Sequence, residues 1–326
     1  VRKDFLQKLF GRKGASDAAP SVRVAAFGKH PGWNDHVEDL GIDTENLVLV
    51  KRLMYVEGIG GNIDSGAWDA LDPEQLLEGF GHVFLWSFAE SFVIGRMWAS
   101  SDGKGRKKYP MVVAADVAGR DARTAMSIAM PALYELEKAC RGTSEREPVI
   151  SALERARSAA AVAMESNTNS AGGEGSASRS GEIVRLAEQQ ELGPGHVGLH
   201  RILYQIEREM GAYRRGTAEG SSTRIKSIDL RPQHMRVPAC LKDPLESLLA
   251  WDALLKRDLD PTVPLLLVRP LEHDWIDILV GGPGTAQFFC LRAKRRAVPL
   301  ATEVPYTLDE AFVARAEAWI GKPTPV

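Results

Sequence analysis

The chain has 326 residues, 44% of them hydrophobic and 26% charged, with a formal net charge of −2. That length fits about two domains, and the balance of apolar and charged residues is that of a globular chain, not of a disordered one. A near-neutral charge provides no general drive toward nucleic acid or an anionic membrane, so no nucleic-acid partner is expected.

No apolar run reaches the roughly 18 residues of a membrane-spanning helix. The longest candidate, residues 263–280, is broken by Pro264, Arg269, Pro270, Glu272, His273 and Asp274. Cys140, Cys240 and Cys290 are far apart and form no CxxC. So sparse and odd a count fits a reducing cytosol, and a cytoplasmic location is expected.

Residues 1–21 form a basic leader and linker, with Arg2, Lys3, Lys8, Arg12 and Lys13 interleaved with Phe5, Leu6, Leu9 and Phe10. This is no signal peptide, which needs an unbroken apolar stretch. It reads either as a frayed leader or as a short amphipathic helix docking on a partner or a membrane surface. Residues 22–165 make a first unit. It opens with a strand at 22–27 and a helix at 44–58, capped by Thr44 and stopped by glycines at 58, 60 and 61. Residues 80–99 read as a pair of strands. Residues 109–117 return as a third, across a turn carrying Gly103 and Gly105. Helices follow at 121–140 and 148–164.

Residues 166–181, SNTNSAGGEGSASRSG, contain no large apolar residue and read as a flexible linker. Residues 182–326 are a second α/β lobe. Its helices are expected around Val197 to Met210, at 245–259 and at 308–320, and its strands at 263–268, 275–280 and 287–291. The last two strands would be joined by the turn GGPGT. The expected class is α/β, a mixed and mainly antiparallel sheet flanked by helices, in two lobes.

Two segments hold most of the polar chemistry. Gly28-Lys29-His30-Pro31-Gly32-Trp33-Asn34-Asp35-His36 follows the first strand directly. Pro31 and Gly32 set a bend there, and Trp33 is either a lid on the core or an exposed anchor for a partner. A metal site would require His30, Asp35 and His36 to converge with a further ligand. The second segment, Ser101 to Pro110, puts Lys104, Arg106, Lys107 and Lys108 on a turn between strands. It lacks the GxxxxGK pattern and the strand-to-helix setting of a phosphate-binding loop. It is either a solvated basic turn or a site for acidic partners or phosphate groups. His196 and His200 share a helix face but lack the Glu of HExxH, so both read as structural. Pro283, among the glycines at 281, 282 and 284, points to a hairpin and not to a phosphate-cradling helix start. No nucleophile set or GxSxG stands out. A non-enzymatic protein with no catalytic residue, cofactor or metal is therefore expected. The alternatives are a metal-dependent hydrolase using His30, Asp35 and His36, or a purely structural adaptor.

Together the two segments resemble the TagF/ImpM family of type VI secretion-associated proteins, with its motifs GKLPxxGDF and SxDRVGRxFP. The matching positions are Gly28, Lys29, Pro31 and Asp35, then Ser100 or Ser101, Asp102, Gly105, Arg106, the aromatic Tyr109, and Pro110. His30, Asn34 and His36 depart from the family pattern. The resemblance spans residues 22–164. It implies a bacterial accessory protein acting in post-translational repression through protein–protein binding. Its partners would be other secretion-system proteins, among them a forkhead-associated scaffold protein beside a kinase/phosphatase pair. On this reading the two loops meet. Lys29, Lys104, Arg106, Lys107 and Lys108 make the surface basic, and Trp33 and Tyr109 supply aromatic anchors. Gly28, Pro31, Asp35, Asp102, Gly105 and Pro110 hold the loops in shape. The alternative is that both motifs serve only the fold.

Overall fold

A computed structural model describes residues 20–167, 181–187, 197–214 and 231–320. Eight strands run through it: β1 (Ser21–Lys29), β2 (His36–Leu40), β3 (Gly81–Ser87), β4 (Ser91–Ala99), β5 (Pro110–Ala118), β6 (Gln233–Pro238), β7 (Leu265–Pro270) and β8 (Trp275–Val280). They form one sheet in the order β2-β1-β5-β4-β3-β7-β8-β6, and every pairing is antiparallel. The expected class, an antiparallel sheet flanked by helices, is what the chain adopts.

The strands before and after residues 166–181 do not make a sheet per lobe. They join edge to edge where β3 meets β7, from His82 opposite Pro270 to Ser87 opposite Leu265. Both strands are apolar on both faces. A run of that kind announces a buried strand without naming its neighbour.

Both faces are covered. On one, Val83, Leu85, Ile94, Val113 and Ala115 pack with residues of α3 (Ala122–Arg141), α4 (Arg146–Ser166), α5 (Val197–Met210) and α6 (Pro244–Leu255). On the other, Phe84, Trp86, Val93 and Val112 pack against the helical segment of residues 45–64 and against Phe288. That segment begins as α1 (Glu45–Val50), where the Thr44 hydroxyl accepts from the Leu47 N–H at 3.2 Å, as a capping residue should. It continues as a π-helix, Lys51–Gly60, and ends as α2 (Gly61–Asp64).

The expected stop at glycines 58, 60 and 61 does not occur. A Cβ on Gly58 would lie 2.5 Å from the Phe288 ring, and one on Gly61 would lie 2.7 Å from Thr285. At these two positions glycine permits close packing against residues 285–288. Asn62 seals the contact, its Nδ2 donating to Gly58 O at 2.8 Å and Thr285 O at 2.7 Å.

Residues 287–291, expected as a strand after a GGPGT hairpin, are helical. They belong to α7 (Thr285–Phe288) and a 3₁₀ turn, Phe289–Arg292. Tertiary contacts override the β-rich local sequence here. Phe288, Cys290 and Leu291 are buried, and Phe289 O accepts from the Trp68 indole at 3.0 Å. The chain closes with α8 (Glu310–Ile320). The basic-leader expectation falls on residues 1–19 and most of the linker on residues 168–180, outside those described.

Candidate partner-binding site

The site begins where β1 ends. Gly28 sits at φ +117°, and a Cβ there would lie 2.3 Å from Pro110 O. Only glycine lets the end of β1 pass so close to the start of β5, and the two residues come from different motifs. Beyond Gly28, the buried Lys29 ammonium donates to Asp35 Oδ1 at 2.5 Å and to Asp102 Oδ2 at 2.8 Å. Asp102 is buried as well. It accepts from Arg106 Nε at 2.7 Å and from the backbone N–H groups of Lys104 and Arg106 at 3.0 and 3.1 Å. Arg106 Nη2 reaches back to Asn34 O at 3.0 Å and Asp35 Oδ1 at 3.1 Å. The Gly103 N–H donates to Trp33 O at 2.7 Å. The two loops therefore meet, joined through Asp35 and Asp102.

Two cations face two carboxylates, so the junction is neutral inside. Burial alone would raise the Asp102 pKa. Hydrogen bonds from Lys29, Arg106 and the Lys104 backbone overcome this and hold the carboxyl well below the usual range. Asp35 is also lowered, first by its hydrogen bond from Lys29, against a smaller effect of burial, with the charges of Lys29 and Arg106 assisting.

Two expected surface residues are interior. Lys29 is 3% exposed because both carboxylates enclose its ammonium. Trp33 is 6% exposed; the Arg146 guanidinium lies 5.5 Å above its ring and the His30 ring meets it edge-on. Trp33 is a lid on the core and not an exposed anchor. Lys104, Arg106, Lys107 and Lys108 do face outward. Tyr109 is half-buried, its ring 5.5 Å from Tyr55 and 5.1 Å from His36. Gly105 turns the loop at φ +76°, a left-handed conformation that glycine adopts at low cost.

The metal reading of this loop fails on hydrogen bonding. His30 is buried, and its Nδ1 accepts from the Gly32 N–H at 3.0 Å while Nε2–H donates to Cys140 O at 2.9 Å. Both ring nitrogens are used. The ring caps the last turn of α3 and offers no ligand atom to an ion shared with Asp35 and His36. Burial lowers its pKa, against weaker raising contributions from the Cys140 and Thr143 carbonyls. His36 instead lies beside Asp35, with Nδ1 3.1 Å from Oδ1.

A second polar cluster was not anticipated from sequence. Arg236 on β6 lies directly opposite Asp277 on β8. Its Nε and Nη2 grip the two carboxylate oxygens at 2.8 and 2.9 Å, and its other N–H groups bond the carbonyls of Ala293, Val298 and Cys290. His234 Nε2 stands 2.8 Å from Asp277 Oδ1. His234, Asp277 and Cys290 are close enough to share an ion. However, the guanidinium already neutralises Asp277, and burial pushes the Cys290 thiol well up. The cluster has the chemistry of a buried ion pair. The available signal was alternation, since His234 and Arg236 share one face of a strand whose other face carries Met235 and Val237.

His200 lies between helices with Nε2 2.8 Å from Glu317 Oε1, a structural setting, whereas His196 falls outside the described residues. Among the described residues no helix is long and apolar enough to cross a membrane. No family model matches the sequence, and no curated protein or solved structure matches it either.

Proposed function

We propose that the chain is a non-enzymatic accessory protein of a type VI secretion system, acting in the cytoplasm by binding other proteins, with repression of the apparatus as its role. Support comes from the resemblance of its two motif segments to the TagF/ImpM family. The observation that carries the reading is their junction: Lys29 and Asp102, 73 positions apart, form a buried ion pair that joins them. The junction neutralises its own interior charges and holds the loop of residues 102–108 in one shape. Lys104, Lys107 and Lys108 are thereby presented to solvent on a turn tied to Asp102, which lowers the ordering cost of binding. A partner such as a forkhead-associated scaffold would dock there.

The test is tagged capture in a bacterium carrying a type VI system, combined with a secretion assay. Secretion-system components should co-purify with the chain, and overproduction should reduce effector release. A chain that captures none of them and leaves release unchanged is not such a regulator.

A further inference from the structure

We infer that the exposed turn of residues 104–108 recognises a run of carboxylates, an Asp/Glu-rich segment of a partner protein, and not a phosphate group. The inference rests on the functional reading above only in taking this turn as the working surface.

A phosphate site is made of converging backbone N–H groups and a forked guanidinium. On this turn four of those N–H groups and two of the three guanidinium nitrogens are already committed. The N–H of Gly103 goes to Trp33 O at 2.7 Å, and that of Gly105 to Asp102 O at 2.8 Å. Those of Lys104 and Arg106 go to Asp102 Oδ1 at 3.0 and 3.1 Å. Arg106 has its Nε on Asp102 and its Nη2 on Asn34 and Asp35.

Besides the tied Arg106, what faces outward is three ammonium groups, on Lys104, Lys107 and Lys108. Among the described residues, the one carboxylate beside them is the exposed Asp69, 3.9 Å from Lys108. Lysine is a compact, hydrated point charge, and several in a row match a series of separate carboxylates. Three cations beside an aspartate are few for nucleic acid, whose affinity grows with the number of phosphates neutralised.

The experiment uses the purified full chain and a fluorescent Asp/Glu peptide, with a singly phosphorylated neutral peptide, a short DNA duplex and phosphatidylserine vesicles as comparisons. The acidic peptide should bind best, and binding should weaken as salt rises. The triple variant Lys104→Glu, Lys107→Glu, Lys108→Glu should lose on the order of tenfold in affinity, the effect expected of a few exposed ion pairs, at an unchanged melting temperature. The corresponding triple Lys→Arg variant should retain binding. Equal binding by the charge-reversed variant, no binding by the native chain, or tighter binding of any comparison ligand overturns the inference. If peptide binding depends on the lysines and no secretion component is captured in cells, the type VI reading fails and this inference stands. If components are captured but the native chain ignores the acidic peptide, the reverse holds.

Discussion

The Lys29–Asp35–Asp102–Arg106 junction and the Arg236–Asp277–His234 cluster combine the same groups, carboxylates gripped by neighbouring cations, to different ends. The junction lies where β1 and β5 leave the sheet, and it ties loop to loop. Its interior is neutral and further cations lie outside it. The second cluster lies on the sheet itself, as a cross-strand pair between β6 and β8. Arg236 makes five hydrogen bonds, two to Asp277 and three to carbonyls within residues 290–298. A buried ion pair therefore identifies no function by its chemistry. What surrounds it decides: exposed cations on a held loop in one case, the packed underside of a connecting segment in the other.

The sharpest way to break this comparison is Asp277→Ala. It leaves a fully buried guanidinium unpaired, and urea unfolding should show a loss of about 3–5 kcal/mol. Replacing the pair together, Arg236→Met with Asp277→Leu, should recover much of that. A single variant with near-native stability would show that the cluster is not the structural one of the two.

Acid should act next, in two pH windows. Burial pushes the His82 pKa down to about 4, against a raising effect of Asp277, with Arg236, His273 and Arg292 adding to the lowering. A histidine lowered on folding contributes its full stability above the unfolded pKa near 6.5, and that contribution is lost as the pH falls toward 4. About 3 kcal/mol should disappear over that interval, and His82→Gln should flatten the profile. His30, also lowered, contributes a smaller loss with the same sign. The junction responds in a lower window, and so does Asp277, whose pKa burial would raise but Arg236 and His234 hold low. Asp35 and Asp102 have lowered pKa values, so their contribution persists above the ordinary carboxylate pKa near 4 and is lost below it. A stability curve flat from neutrality to pH 4 would contradict the histidine assignment.

A smaller effect is expected from Asp102→Asn. The amide can still accept from the Lys104 and Arg106 N–H groups but no longer balances Lys29 and Arg106. The melting temperature should fall by less than for Asp277→Ala, while proteolysis within residues 102–108 becomes faster. If the cleavage rate is unchanged, the carboxylate does not hold the loop. The smallest effect belongs to Gly105→Ala. No atom obstructs a Cβ there, so the cost is that of the left-handed backbone alone, about 1 kcal/mol by chemical denaturation. Gly28→Ala, facing Pro110 O, should cost clearly more; equal losses would remove the close approach as the reason for Gly28.

Much of this molecule was legible in its sequence, for local reasons. The helix expected at 121–140 is α3, and residues 275–280 are β8 as their apolar run suggests. The Gly, Pro and Asp residues of the two loops announced tight turns, and their resemblance to one family's motifs suggested that they meet. Periodicity and turn chemistry act within a few residues, and a reader can see them there. What only the tertiary structure decided is the pairing of distant residues: β3 beside β7, Arg236 opposite Asp277, glycines 58 and 61 under Phe288 and Thr285. It also decided burial. Lys29 and Trp33, a cation and an aromatic suited to a surface by type, went inside because carboxylates from two loops enclosed one and the start of α4 covered the other. Burial is a property of what other parts of the chain bring to a residue, and no local pattern records it.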